Sequence, residues 1–174
     1  AGNDERDSSS QQTSHGDLLE LVARLVGRLD EDKSVLQRPG QLAAGAKSAE
    51  VVAILMLAGD LDAGEKQLEE ALEIAGKLGE RVYLPQLLLM KAAIGRARGD
   101  VVAADTATAR AVAEARAQQA PWLELITLTE WCAHDSAIAE DRRALATLVD
   151  RLPQAHATHA VADARKLLDK ASST

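Results

Sequence analysis

AILMLAGDLDAGEKQLEEALEIA (Ala53–Ala75) and AIGRARGDVVAADTATARAVAEA (Ala93–Ala115) lie over each other at a spacing of forty positions. Ala53-Ile54 falls on Ala93-Ile94, Gly59-Asp60 on Gly99-Asp100, Ala63 on Ala103, Ala71 on Ala111 and Ala75 on Ala115. An internal period of this length is the signature of stacked helix pairs, each too small to bury its apolar face alone. Repeated pairs build a surface rather than a reaction centre, so architecture and class of function are legible here while the ligand is not.

Outward from the repeat, apolar residues recur at helical spacing. A first helix is predicted over about 17–29, with Leu18, Leu21, Val22, Leu25 and Leu29 on one face. Pro39-Gly40 breaks the chain before a second helix over about 42–58. Its Val51, Val52, Ile54, Leu55 and Leu57 are nearly continuous, so burial on more than one side is expected. Asp62 is read as the N-cap of the third helix and Glu65 as its capping-box partner. Leu68, Ala71, Leu72, Ala75 and Leu78 form that helix's apolar stripe, Glu69, Glu73 and Lys77 its solvent side, and Gly79 its left-handed stop. Pro85 suits the first position of a fourth helix ending at Gly99, and a fifth spans about 101–119. Pro121 opens a sixth carrying Trp122, Leu125, Ile126, Leu128 and Trp131, with further helices over about 140–152 and 158–170. The expected fold is all-α: about eight helices in antiparallel pairs, making a two-layer right-handed stack over residues 17–174. Residues 1–16 are polar and are read as a disordered tail or linker.

Composition agrees. There is no phenylalanine, one tyrosine and two tryptophans, so the core must be Leu, Val, Ile and Ala. Alanine is the strongest helix former, and small side chains let helices approach closely. The net charge of −7 disfavours nucleic acid and anionic membranes as partners. No apolar run approaches the roughly 20 residues of a membrane span. A single cysteine, Cys132, excludes an intrachain disulfide and suits a reducing compartment. With no apolar leader-like segment near Ala1, a cytoplasmic location is expected, and the Ala/Arg/Leu-heavy composition has a bacterial look.

Gly59-Asp60-Leu61-Asp62-Ala63-Gly64 through Ala71-Leu72-Glu73-Ile74-Ala75 resembles the turn and second helix of a tetratricopeptide (TPR) repeat. Gly64 and Ala71 match that family's small positions and Leu68 its large one; in the second unit Ala92, Ala104 and Ala111 match the small positions. Thr108 replaces the usual large residue and Gly95 stands where an aromatic is expected. The forty-residue period is longer than the family's usual thirty-four, and is similar to the C-terminal region of large bacterial signal-transduction ATPases: maltose-activator-type regulators and adenylate cyclase-linked ATPases. Leu87-Leu88-Leu89-Met90-Lys91, Ala115-Arg116-Ala117-Gln118, Trp122-Leu123-Glu124-Leu125 and Val161-Ala162-Asp163-Ala164-Arg165-Lys166-Leu167-Leu168 add to that likeness over about 50–170. The resemblance implies a sensor or scaffold surface in signal transduction or transcription regulation, binding a protein, a peptide or a small effector. On the family's pattern the concave, partner-binding face includes Gln86, Leu89, Ala93 and Arg96, continuing to Thr129 and Glu130. Arg96 is expected to matter more to binding than Glu73. A self-assembling, dimeric structural module is the alternative, with the first two helices against a symmetry mate.

Candidate reaction and metal centres in the sequence are weak beside this reading. Gly59 to Lys66 falls short of a phosphate-binding loop: the lysine is one place late, no Ser or Thr follows, and carboxylates crowd the site. Trp131-Cys132-Ala133-His134-Asp135 gathers metal-ligand types, but His15, His156 and His159 do not supply a second cluster. Cys132 and His134, two positions apart on a helix, point to opposite sides and make no nucleophile–base pair. Glu69-Glu70 and Asp60/Asp62 are solvated or capping carboxylates. No enzyme activity, metal or cofactor is expected.

Overall fold

The structure, a computed structural model, describes residues 43–79, 81–134, 136–152 and 159–172. Every regular element among them is a helix: α1 (Ala43–Leu57), α2 (Leu61–Leu78), α3 (Leu84–Ala97), α4 (Val101–Ala117), α5 (Pro121–Cys132), α6 (Ala139–Arg151) and α7 (His159–Ser172). The helix predicted over 17–29 and the polar segment 1–16 lie outside the described residues.

The sequence echo is a repeated piece of geometry. Gly59 and Gly99 both take left-handed φ, 80° and 77°, which a Cβ would oppose. The next residue then returns its N–H to the helix just ended. Asp60 donates to the Leu55 carbonyl at 3.0 Å, and Asp100 to that of Gly95 at 2.9 Å. The same aspartate caps the following helix: Asp60 accepts from the Ala63 N–H at 3.0 Å, Asp100 from Ala103 at 2.9 Å. The N-cap of α2 is therefore Asp60, not Asp62. Asp60 has the non-helical backbone a cap requires (φ −87°, ψ 75°), whereas Asp62 is already inside the first turn. Glu65 pairs with Arg98. The two prolines enter differently. Pro121 is the first residue of α5, while Pro85 is the second of α3, after Leu84; both positions spare the missing N–H.

Each helix packs on its successor, and the odd-numbered helices also touch one another: α1 with α3, α3 with α5, α5 with α7. No packing of comparable extent joins α2 to α4 or α4 to α6. The odd helices thus form a central row flanked by the even ones. The row is correspondingly enclosed: Pro85 through Met90 of α3 are all buried, a run longer than one helical turn. Ala53, Ala93, Ala71 and Ala111, matched across the repeat, are buried at the crossings. At those crossings one helix lacks a side chain. A Cβ at Gly95 would lie 3.3 Å from the Cβ and backbone nitrogen of Ala104 and from the Asp100 carbonyl. In the first unit the bare position is on the other helix, where Gly64 faces Met56 and Leu55. Thr108, in place of a large residue, is wholly buried and donates its hydroxyl to the Ala104 carbonyl at 2.9 Å.

α1 departs from expectation. Ala49, Val52, Ala53 and Met56 are buried, but Val51, Ile54 and Leu57 are exposed, Ile54 by 63 %. Its described partners, α2 and α3, cover one side only, so the apolar run is not buried all round.

Candidate functional site

The residues of the TPR-derived stripe sit on two packed helices and are mostly enclosed. Gln86, Leu89, Ala93 and Arg96 follow one another along α3, and Thr129 and Glu130 stand on α5, which packs against it. Gln86, Leu89, Ala93, Thr129 and Glu130 are each no more than 5 % exposed. Thr129 donates its hydroxyl to the Leu125 carbonyl at 2.6 Å, inside its own helix.

Arg96 is the accessible member, with 21 % of its side chain exposed. Its guanidinium donates to Asp105 at 3.1 Å and to the Thr108 hydroxyl at 3.3 Å. Burial lowers its pKa, and Asp105 and then Glu130 hold it up; a guanidinium stays charged at neutral pH all the same. Asp105 also accepts from the Ser136 hydroxyl. This network joins α3, α4 and the turn before α6, with Glu130 of α5 drawn in electrostatically. Arg96 is thus committed to the chain's own carboxylates.

The open concavity lies on the other side of α3. Because α2 and α4 do not pack on each other, a cleft of about 580 Å³ runs between them with α3 as its floor. Leu72, Ala75 and Gly76 of α2, Leu84 and Lys91 of α3, and Arg110 and Glu114 of α4 line it, with Glu69 and Glu73 on the α2 rim and Arg81 at one end. Glu73 pairs with Lys77, and Arg81 with Glu114. Lys91 and Arg110 form no ion pair among the described residues. Sequence reading missed the cleft, treating Glu69 and Glu73 as ordinary solvated charges. The available signal was Gly76, a glycine within a helix that needs no turn there.

A second concavity, about 770 Å³, lies where α5 ends beside α6 and α7, with Cys132, Arg142, Arg143 and Leu167 on its walls. Cys132 is a free, buried thiol. Burial, then the Asp141 carboxylate, push its pKa up to about 11 against a smaller opposing pull from Arg142, so at neutral pH it is a protonated thiol and a poor nucleophile. Asp141 is occupied by the Trp131 indole N–H at 2.9 Å and the Ile138 backbone N–H at 3.0 Å. Asp135, His15 and His156 lie outside the described residues. Among the described residues no three His, Cys, Asp or Glu side chains converge as metal ligands, and no helix is long and apolar enough to cross a membrane.

No family model matches the chain, and no curated protein or solved structure matches it either.

Proposed function

We propose that the chain is a TPR-like interaction domain of a bacterial ATPase-type signalling or transcription regulator, binding a protein partner or an effector without catalysing a reaction. The observation that carries this reading is the twice-used turn. The forty-residue echo has the same left-handed glycine, the same returning N–H and the same aspartate cap in both units. Around it, successive helix pairs share a central row, the arrangement through which repeat proteins present extended surfaces. In this reading the α3/α5 stripe is the packed spine of the stack, with Arg96 its accessible point, and the outer cleft between α2 and α4 offers a partner open surface. The test is made in the parent reading frame. Deleting residues 43–172 should abolish the response to effector while ATP hydrolysis persists. A frame with no ATPase domain, or hydrolysis lost with the deletion, contradicts the assignment.

Self-assembly is the second reading, and one observation favours it. Val51, Ile54 and Leu57 form an exposed apolar line on α1, the kind of surface two copies bury across a twofold axis. Sedimentation of wild type against Ile54→Glu separates the two readings.

A further inference from the structure

The glycines inside helices fall into two kinds. Gly95 is hemmed in, since an added Cβ would stand 3.3 Å from Ala104 and the Asp100 carbonyl, and at Gly64 one would lie in ordinary contact with Met56 at 3.5 Å. Gly76 has no such neighbour. It is an α2 residue without a left-handed backbone, and a Cβ added there meets nothing within 4 Å. Its lack of a side chain costs helix stability relative to alanine and gives the chain's own packing nothing in return. A helix backbone left bare beside open space suits another molecule that approaches it closely.

Gly76 lines the outer cleft together with the apolar side chains of Leu72 on α2 and Leu84 on α3. Lys91 and Arg110 on the α3/α4 side have no carboxylate partner among the described residues, although the chain carries a net charge of −7. On α2, Glu73 is engaged by Lys77 and Glu69 has no ion-pair partner among the described residues, while Glu114 of α4 is engaged by Arg81. The uncompensated charges are therefore Lys91 and Arg110 on one wall and Glu69 on the other, with apolar side chains between them. The acidic wall opposes a polyanion such as nucleic acid, and the charge separation selects a ligand carrying both signs.

We propose that this cleft seats a peptide segment of a partner protein, with an acidic side chain against Lys91 and Arg110, a basic one toward Glu69, and an apolar one packed over the bare helix at Gly76. This rests on the interaction-domain reading and assigns its partner a chemistry.

The probe is a set of acetylated, amidated nonapeptides that place one leucine between one glutamate and one lysine at varied spacings, titrated into the isotope-labelled chain. The expected result is binding by at least one spacing, with amide shifts centred on Gly76, Lys91 and Arg110. Replacing the peptide's glutamate by glutamine should weaken it about tenfold or more, the order of one charge-assisted contact. The double variant K91E/R110E should lose this peptide and accept one with lysine in the glutamate's place. Gly76→Leu should block binding, while Gly76→Ala should raise Tm by about 2–4 °C, as removal of an unneeded helical glycine does in a chain of this size. The proposal is overturned if no spacing binds, if the glutamine peptide binds as well, or if Gly76→Ala lowers Tm. A parent protein that loses its response on deletion of the repeats but keeps it with Gly76→Leu discards this cleft alone and leaves the interaction-domain reading standing.

Discussion

Cys132 and Arg96 show how single side chains are constrained by this packing. The Cys132 thiol is raised from an ordinary value of 9.0 to about 11, first by burial and then by Asp141. A thiol that holds its proton more tightly when folded adds stability below the unfolded pKa, and that contribution is lost as pH rises through the folded one. Unfolding free energy measured in urea should therefore fall between about pH 9 and pH 11, and the fall should be shallower in Cys132→Ala. Equal slopes would contradict the placement of the thiol. Arg96 is the more structural case. Removing it takes the salt-bridge partner from Asp105 and a positive charge from near the buried Glu130, so Arg96→Ala should destabilise the chain by about 1–3 kcal/mol, seen as a lower urea midpoint. Glu73→Ala removes only an exposed i,i+4 pair with Lys77 and should shift stability by less than about 0.5 kcal/mol.

Among the elements, the two units make a paired experiment. Asp60→Ala and Asp100→Ala remove equivalent caps and should each cost about 0.5–2 kcal/mol; a loss at one alone would break the equivalence. The crossing glycines allow a sharper test. Gly95→Leu should be severely destabilising because Ala104 and the Asp100 carbonyl occupy its space. Adding Ala104→Gly recreates the pairing of Leu55 with Gly64 and should recover part of the loss, a non-additivity readable in a double-mutant cycle. Most helix ends were legible in the sequence, because glycine, proline and apolar spacing act locally. The cap of α2 was misread between two aspartates that both fit by composition. The repeat itself held the answer, since Asp60 aligns with Asp100 while Asp62 aligns with Val102, which has no acceptor. The burial of α1 was overestimated because apolar residues can be counted in a sequence while packing partners cannot. The enclosure of the residues from Gln86 to Glu130 was not legible: a family pattern gives the direction a residue faces and not what lies against it. The cleft went unseen because α2 and α4 are far apart in sequence and the gap between them exists only in three dimensions.

At the scale of the whole molecule, a row of odd-numbered helices carries the even-numbered ones on its flank, open enough to leave a cleft between α2 and α4. The exposed line of Val51, Ile54 and Leu57 adds a concentration-dependent expectation. If copies associate through α1, Ile54→Glu should shift the sedimentation profile to monomer without loss of helicity; an unchanged oligomer places the contact elsewhere. The most direct measurement is a methyl–methyl NOE map of the chain labelled at Ala, Ile, Leu, Met and Val. The row predicts contacts from the buried methyls of α1, among them Ala49, Val52, Ala53 and Met56, to α3, and from α3 to α5 through Leu125 and Leu128. It predicts none between α2 and α6. Strong α2-to-α6 contacts, with α1-to-α3 contacts missing, would mean a closed bundle and would contradict the stacked arrangement.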